Sequence, residues 1–362
     1  MRVLIAGGGT GGHVIPALAI ADALRLRYGA EVVFAGTSRG LETRLVPRAG
    51  YRLELITVGQ LNQVSLATRL KTVATLPGGV IDCLRLLHRW QPQVVLGVGG
   101  YASGPAMLAA LLKRTPTLAF EPNAVPGMAN RMVGRWVSRA AVNFAAAKEY
   151  FRNAEVTGIP VREEFFSLPP KLPGTSPRLL VFGGSQGARA FNQAMPQVAK
   201  ALLDNSPALR ILHQAGARHA EATQAAYAAS GADPQRWEVQ AFLDDMPQQF
   251  AASDLVLARS GASTVAELAA AGKPSLLTPF PRAADDHQRK NAEAMVEAGA
   301  AAMLLEERMT SDRLLAEIRA LLGDPARLTA MGERARALAR PGAALRIAQM
   351  AAELAGDSSF SE

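Results

Sequence analysis

The 362-residue sequence contains a single cysteine, Cys83, and aromatic residues make up only 6% of the chain. One cysteine cannot form an internal disulfide, and it cannot supply a cysteine-based zinc site. We therefore expect a protein of a reducing, cytoplasmic compartment. Met1 and Arg2 lead directly into an apolar strand pattern, and glycines follow too soon for the apolar segment of a signal peptide.

The sequence also lacks runs of like charge, although its net charge is +8 and its pI is near 10.0. Excess positive charge favours acidic partners such as phosphates, nucleic acid or anionic lipid. Because the lysines and arginines are spread along the chain with few aromatic residues between them, nucleic acid is a disfavoured partner.

No Asp-x-Asp triplet is present, so a divalent ion on a nucleotide diphosphate has no such acidic ligands in the sequence. We expect a diphosphate to be neutralised instead by backbone amides, helix dipoles and cations such as Arg162 or Arg259. This interpretation requires neither a metal nor a cofactor.

Long hydrophobic runs are scarce as well. Residues 94–112 carry no charge and are nominally as long as a membrane span, but Ser103, Pro105 and several glycines lie in their middle. We interpret this stretch as a buried strand, a loop and a helix.

Short apolar runs alternate with helical patterns along the chain, which is typical of parallel sheets with crossover helices. Prolines interrupt the pattern over residues 158–177, and each half begins with a strand, a glycine loop and a helix. We predict an α/β protein with two doubly wound parallel-sheet domains that face each other across a cleft, with ligands at the carboxyl ends of the strands. The predicted domains are 1–162 and 163–340, followed by a C-terminal helix and tail, 341–362, that can pack back on the N-terminal domain. The predicted strands are 3–6, 32–35, 53–56, 94–98, 117–120, 140–143, one at 156, 178–182, 210–213, 238–241, 255–258, 274–277 and 301–305.

The first glycine loop, residues 7–12, reads Gly-Gly-Gly-Thr-Gly-Gly, and His13 follows it. Amide donors and the dipole of the next helix would point to one place, which predicts a cradle for an anion. We expect Pro16 to open that helix. An imidazole in its first turn indicates chemistry rather than cofactor storage.

Glycines of this loop also match the Gly-x-Gly-x-x-Gly pattern of dinucleotide-binding proteins. The next strand does not end in the acidic residue that would bind a ribose, so NAD is disfavoured. Ser38 and Arg39 could meet a 2′-phosphate, which leaves an NADP-dependent oxidoreductase as an alternative.

The second half carries a glycine loop at residues 183–188 and the segment 259–267, Arg-Ser-Gly-Ala-Ser-Thr-Val-Ala-Glu. Glu267 has two interpretations: it forms a capping box with Thr264, or it binds both hydroxyls of a ribose. Residues 285–292 follow the next strand, where His287 and Gln288 could bind sugar hydroxyls. The acidic pair at 285 and 286 also fits a solvated helix start, and the segment is a poor metal site.

Two loops of the first half follow strands and are expected to line the same cleft as His13. Residues 99–105 carry Tyr101, which we predict to bind substrate, and residues 121–127 carry Glu121 and Asn123; ordinary turns remain an alternative for both loops. Residues 66–90 are amphipathic and basic, and we expect residues 77–79, Pro-Gly-Gly, to split them. Either a membrane contact or an internal helix with a solvated basic edge explains this region.

Four segments together resemble the MurG family of peptidoglycan glycosyltransferases: Gly-Gly-Thr-Gly-Gly-His-x-x-Pro, Gly-Gly-Ser-x-Gly-Ala, Arg-Ser-Gly-Ala-x-Thr-x-x-Glu and Asp-x-His-Gln-x-x-Asn-Ala. The resemblance covers nearly the whole chain. It implies the GT-B fold and an inverting, metal-independent transfer of N-acetylglucosamine from UDP-N-acetylglucosamine to the 4-hydroxyl of lipid I, which forms lipid II with a β-1,4 bond. It also implies that the protein attaches peripherally to the cytoplasmic face of the inner membrane, whose surface is anionic. A UDP-N-acetylglucosamine epimerase of the same fold is a further alternative.

The resemblance also implies roles for individual residues. His13 is the leading general base, because an imidazole at a helix N-terminus is kept neutral, and Glu121 is the second. The linker carries Ile159 where the family usually has asparagine, and the loop before Asp286 is variable in the family. The implied substrate-binding residues are Thr10, Gly11 and Gly12 around the acceptor diphosphate and donor sugar, Asn123 at the sugar, Arg162 and Ser185 near the nucleotide and phosphates, Leu243 against uracil, Ala262, Ser263, Thr264, Val265, Ala266 and Glu267 around phosphate and ribose, and Gln288 at the N-acetylglucosamine hydroxyls.

Overall fold

The computed structural model describes residues 1–38, 40–57, 66–100, 102–169, 171 and 176–357, and only the backbone of residues 66–76. Arg39, Tyr101 and residues 358–362 of the tail therefore lie outside the described residues. The chain forms two compact units, Met1–Pro160 together with Gly342–Glu362, and Val161–Pro341.

The first unit contains a seven-stranded sheet in the order β3-β2-β1-β4-β5-β6-β7, in which every neighbouring pair is parallel. This order reverses between β1 and β4, as in doubly wound folds. The strands are β1 Arg2–Ala6, β2 Glu31–Gly36, β3 Arg52–Leu55, β4 Val94–Gly97, β5 Thr117–Glu121, β6 Arg139–Val142 and β7 Ala154–Val156. The helices are α1 Gly11–Tyr28, α2 Glu42–Arg48, α3 Leu66–Trp90, α4 Ser103–Leu112 and α5 Met128–Val133, with α13 Ala343–Leu354 from the end of the chain and a short 3₁₀ helix at Ala145–Tyr150.

The second unit repeats the topology with six parallel strands in the order β10-β9-β8-β11-β12-β13. The strands are β8 Arg178–Phe182, β9 Arg210–Gln214, β10 Trp237–Gln240, β11 Leu255–Ala258, β12 Ser275–Leu277 and β13 Ala301–Met303. The helices are α6 Arg189–Asn205, α7 Ala220–Ala229, α8 Met246–Ala252, α9 Ala262–Ala271, α10 His287–Glu297, α11 Ser311–Leu322 and α12 Pro325–Leu338, with 3₁₀ helices at Glu163–Phe165, Ala284–Asp286 and Glu306–Arg308.

The central strands explain why the sequence shows continuous apolar runs. In β1, Val3, Leu4 and Ile5 are all fully buried, because helices cover both faces of a parallel sheet. Strand β8 is buried in the same way over Leu179 and Val181. The fold prediction is confirmed: the chain is an α/β protein with two doubly wound parallel sheets.

Two predicted helix boundaries are wrong, and both involve proline. Helix α1 begins at Gly11, so Pro16 lies inside it rather than at its start. Helix α3 runs unbroken through Pro77. A proline inside a helix removes one backbone hydrogen bond. In α3, the burial of Cys83 and Leu87 in the core of the unit outweighs the tendency of Pro77 to break the helix.

The last helix belongs to the first unit. Helix α13 packs against α1, and its Arg346 binds Glu155 of β7 with Nε–Oε1 at 2.5 Å. Arg139 of β6 binds both Glu155 and Glu353, and Arg346 also binds Glu353. These four residues form a network, although partial exposure of each keeps the contribution of a single pair small.

Candidate active site

The loops after β1 and β4 of the first unit touch each other at the point where the strand order reverses. A Cβ atom at Gly7 would lie 2.5 Å from the carbonyl oxygen of Gly99, and one at Gly100 would lie 2.3 Å from that of Gly8. Only glycine permits such a close approach of two backbones. Open sheets of this kind bind their ligands at the reversal point.

His13 stands in the first turn of α1, beside both loops. Thr10 is the N-cap residue of the helix, and its Oγ1 lies 3.3 Å from Nδ1 of His13. A Cβ atom at Gly99 would lie 3.1 Å from Nε2, so the partly buried ring packs against that glycine. The structure therefore brings Thr10, Gly11, Gly12 and His13 together.

A buried carboxylate that the sequence analysis missed holds the first glycine loop. Glu42, the first residue of α2, is 1% exposed and accepts hydrogen bonds from the amide of Gly9 at 2.7 Å and from the amide and hydroxyl of Thr37 at 3.0 and 2.9 Å. Cβ atoms at Gly8, Gly36 and Gly40 would all collide with its side chain. The glycines at 36 and 40 around one glutamate were the available signal in the sequence.

Fewer backbone amides are available to an anion at the first glycine loop than the sequence predicts. The amide of Gly9 donates to Glu42, and the amide of Gly7 donates to the carbonyl of Ala35 at 3.1 Å. Both donors are therefore used within the protein. The prediction of an anion cradle therefore shifts from these two amides to the N-terminus of α1, at Gly11 and Gly12.

Glu121 ends β5, is 2% exposed and accepts four hydrogen bonds. The donors are the amide and side chain of Asn123 at 2.9 and 3.1 Å, the amide of Gly127 at 3.2 Å and the side chain of Asn130 at 2.9 Å. Burial raises the pKa of Glu121 to about 7, and these hydrogen bonds oppose the rise. Such a carboxylate fixes the loop that carries Asn123.

In the second unit the loop of residues 183–188 connects β8 to α6, and Ser185 is exposed at its tip. A Cβ atom at Gly187 would lie 1.9 Å from the carbonyl oxygen of Ala215, which follows β9. Leu243 is buried in the segment after β10. These residues and the start of α9 all follow the carboxyl ends of strands in one sheet.

The capping-box interpretation of Thr264 is wrong. The N-cap residue of α9 is Gly261, and Thr264 and Glu267 lie inside the helix. Burial raises the pKa of Glu267 to about 7, an effect that the charge of Arg162 opposes. Ala262, Ser263, Thr264 and Ala266 are partly exposed, whereas Val265 is buried and faces the core.

Arg259 does not match its predicted role as a cation for a diphosphate. Its guanidinium is buried, donates to the carbonyls of Thr278 and Pro279 at 3.1 and 3.0 Å, and pairs with Glu306. The rings of Phe191 and Phe280 lie 5.0 and 5.4 Å from it. By contrast Arg162 is exposed, with its guanidinium 5.1 Å from the ring of Phe165.

Gln288 lies in the first turn of α10, beside the start of α9. Its Oε1 accepts a hydrogen bond from the amide of Phe280 at 3.0 Å, and its carbonyl accepts one from Ser260 Oγ at 2.7 Å. Asp285 and Asp286, just before it, both have φ above +50°. Aspartate is one of the few residues other than glycine that adopts this left-handed conformation readily, and the two residues turn the chain into α10.

The comparisons with known proteins cover both units. The glycosyltransferase family 28 N-terminal domain matches residues 3–142, and the C-terminal domain of that family matches residues 178–347. The chain belongs to glycosyltransferase family 28. A relative from Solibacter usitatus (strain Ellin6076) is 46% identical over 354 residues, 97% of this chain and 96% of its own length, and one from Nitrosococcus oceani is 46% identical over 360 residues, 98% and 99%. Both are called UDP-N-acetylglucosamine--N-acetylmuramyl-(pentapeptide) pyrophosphoryl-undecaprenol N-acetylglucosamine transferase.

A crystal structure of MurG from Acinetobacter baumannii is 31% identical, covers 97% of this chain and 99% of its own, and superposes with a TM-score of 0.80. The predicted resemblance to the MurG family and the GT-B fold is confirmed. The oxidoreductase and epimerase alternatives are not favoured, because curated relatives matching over nearly the whole chain carry the transferase name.

Within each unit the structure places the predicted residues at the ends of parallel strands. Thr10, Gly11, Gly12 and His13 follow β1, and Asn123 follows β5. In the second unit, Ser185, Leu243, the start of α9 and Gln288 follow four different strands. Tyr101 lies outside the described residues.

Replacement of Glu42 by alanine should lower the free energy of unfolding by about 3 kcal/mol, because three buried donors lose their acceptor. Urea unfolding followed by circular dichroism measures the change. Glu221→Ala is the matched control, since Glu221 also lies in the first turn of a helix but is exposed. Equal stability of the two variants would contradict a structural role for Glu42.

Glu121 should make the stability pH-dependent. Its folded-state pKa of about 7 exceeds the usual value, so the folded state binds more protons between pH 4.5 and 7, and stability falls as the pH rises. We expect the destabilisation caused by Glu121→Gln to be largest near pH 4.5 and to shrink by about 3 kcal/mol towards pH 7. Urea unfolding of both proteins across this range tests the sign; a difference that grows with pH would refute it.

Proposed function

We propose that this chain transfers N-acetylglucosamine from UDP-N-acetylglucosamine to the 4-hydroxyl of N-acetylmuramyl-pentapeptide on undecaprenyl diphosphate. The observation that carries the proposal is the match to transferases of that name at 46% identity over nearly the whole chain. The imidazole of His13 beside two interlocked glycine loops supplies a group suited to the chemistry.

In the proposed reaction the acceptor hydroxyl attacks the anomeric carbon from the face opposite UDP. A bond forms between that oxygen and the anomeric carbon, the bond to the diphosphate oxygen breaks, and UDP leaves with the electron pair. Inversion gives the β-1,4 linkage. A general base takes the hydroxyl proton, and we assign this role to His13. Thr10 Oγ1, 3.3 Å from Nδ1, orients the ring.

Glu121 is a weaker candidate for the base. Its carboxylate is buried and already accepts four hydrogen bonds, whereas a base must reach the hydroxyl of a bound substrate. We propose that Glu121 instead fixes the loop in which Asn123 contacts the sugar.

The donor is proposed to bind to the second unit. Arg162 and Ser185, both exposed, would contact the diphosphate, and the segment that contains the buried Leu243 would lie against uracil. The start of α9 would bind phosphate through its amides and ribose through Glu267, while Gln288 contacts the sugar hydroxyls. Among the described residues there is no group of three or more His, Cys, Asp or Glu side chains that could hold a metal ion. We propose a reaction without metal or cofactor, in which amides and Arg162 neutralise the leaving diphosphate.

We propose that a surface of the first unit binds anionic lipid. Helices α3 and α4 pack together, as do α4 and α5, and large apolar side chains are exposed on all three and at Trp136, which follows α5. Leu112 is 64% and Trp136 is 70% exposed, and Lys113 and Arg135 lie exposed beside them. The predicted membrane region, residues 66–90, is helix α3. The side chains of α3 before Pro77 lie outside the described part of the structure.

No described helix is long and apolar enough to cross a membrane. Apolar side chains beside bases favour peripheral contact with an anionic leaflet. We propose the cytoplasmic face of the inner membrane as the location.

The proposed activity predicts that purified protein releases UDP from UDP-N-acetylglucosamine only when a short-chain lipid I analogue is present. His13→Ala should lower kcat by about 10²-fold or more, because proton transfer loses its base. His219→Ala, which removes an exposed imidazole in the second unit, should keep wild-type turnover. Near-native kcat in a folded His13→Ala protein would remove His13 from the role, and acceptor-independent hydrolysis in the wild type would contradict the transfer itself.

Membrane contact predicts co-flotation with vesicles containing phosphatidylglycerol at low ionic strength and release by salt, because Lys113 and Arg135 are screened. Trp136→Ser should reduce flotation several-fold. The control is Leu26→Ser: Leu26 is 82% exposed on α1, which packs against α13. Equal loss in both variants, or flotation insensitive to salt, would count against this surface.

A further inference from the structure

Three segments of the second unit meet at the carboxyl end of β9, and one buried side chain joins two of them. Gln214, the last residue of β9, is 3% exposed. Its Nε2 donates to the carbonyl of Gly184 in the glycine loop at 2.8 Å, and its Oε1 accepts from the amide of Leu243 at 2.9 Å. The side chain thus spans from the loop after β8 to the segment after β10.

The partners of Gln214 determine how its amide is oriented. Gly184 offers a carbonyl oxygen, and Leu243 offers an N–H group. The opposite orientation would set oxygen against oxygen and N–H against N–H. Both bonds can therefore form in one arrangement only, which defines the separation between Gly184 and Leu243.

The glycine loop of the second unit, residues 183–188, has little freedom to move independently of β9. The amide of Gly187 donates to the carbonyl of Gly184 at 2.9 Å, and the side chain of Asn192 donates to the carbonyl of Ala215, also at 2.9 Å. A Cβ atom at Gly216 would lie 2.1 Å from the carbonyl oxygen of Gln186. The loop after β8 and the loop after β9 are interlocked, and Gln214 extends this contact to Leu243.

We propose that Gln214 is a positioning residue for the donor nucleotide. The inference rests on the proposed function, in which Ser185 lies by the diphosphate and Leu243 lies against uracil. A uridine diphosphate has a fixed span from base to phosphate, so a binding site gains affinity when its two contact segments are held at that span before the ligand arrives. Gln214 holds them there without touching the ligand.

This role has a specific kinetic signature. The nucleotide is held in the ground state and in the transition state alike, so loss of its positioning weakens uniform binding and raises KM with little change in kcat. The KM for UDP-N-acetylglucosamine should rise about tenfold in Gln214→Leu, the Kd for UDP should rise by a similar factor, and the KM for the lipid I analogue should stay within about twofold.

The matched control is Gln240→Leu. Gln240 is the register partner of Gln214 on β10, is partly exposed, and donates through Nε2 to Glu238 at 2.5 Å. It has the same side chain at the same level of the sheet but does not bridge the two segments. Gln214→Met is a second test variant, which keeps an unbranched side chain of similar size and also removes both bonds.

The experiment measures UDP binding by calorimetry, the two KM values and kcat, and the melting temperature of each protein. A selective rise of the donor KM and of the UDP Kd in both Gln214 variants, with kcat near the control value, is the expected result. UDP affinity within twofold of the control in folded Gln214 variants overturns the inference alone. A general loss of kcat and of both affinities, or failure of both variants to fold, makes Gln214 a stability residue and also overturns it. A wild-type protein that does not bind UDP overturns the proposed function, and the inference with it.

Discussion

The binding loops of this protein depend on one constraint: a polar group buried in a glycine-rich turn must find a partner inside the protein. Backbone that approaches other backbone as closely as Gly100 approaches Gly8 excludes both side chains and water. In the first unit the carboxylate of Glu42 satisfies this constraint by accepting from Gly9 and from Thr37. The position of the loop, and of the helix start that carries His13, follows from that contact.

The same arrangement recurs at other strand ends with different chemistry. Glu121 gathers four donors around the loop after β5, and Gln214 joins the loop after β8 to the segment after β10. Each is almost completely buried, and each bonds to a proposed substrate contact: Glu121 accepts from Asn123, and Gln214 accepts from Leu243. Buried, fully bonded side chains of this kind make a site rigid, because any movement of the loop would break several bonds at once. Preorganised loops of this type suit a transfer reaction in which backbone amides neutralise much of the charge.

Much of the fold could be predicted from the sequence, and the residues that hold the loops could not. Strands such as β8 and β11 have the predicted bounds, because a strand buried on both faces leaves a continuous apolar run. The errors occurred where packing overrides local preference, as in α3 at Pro77, or where a polar residue has several uses, as with Thr264. Arg259 was misjudged because a sequence does not reveal that two carbonyls and Glu306 already surround its guanidinium. Gln214 was missed because both of its partners are backbone groups, which leave no side-chain pattern. Glu42 was missed although the glycines around it are visible in the sequence, because most of its donors are backbone amides.

The membership of α13 in the first unit affects the order in which the protein matures on the ribosome. Residues 161–341 are synthesised before this helix emerges, so the second unit can complete its core while the first still lacks its last element. Until then the side of α1 that α13 covers stays uncovered, and Glu155 lacks Arg346. A nascent or truncated chain that stops before Ala343 would thus present an unfinished apolar surface, which is a natural target for chaperones and proteases.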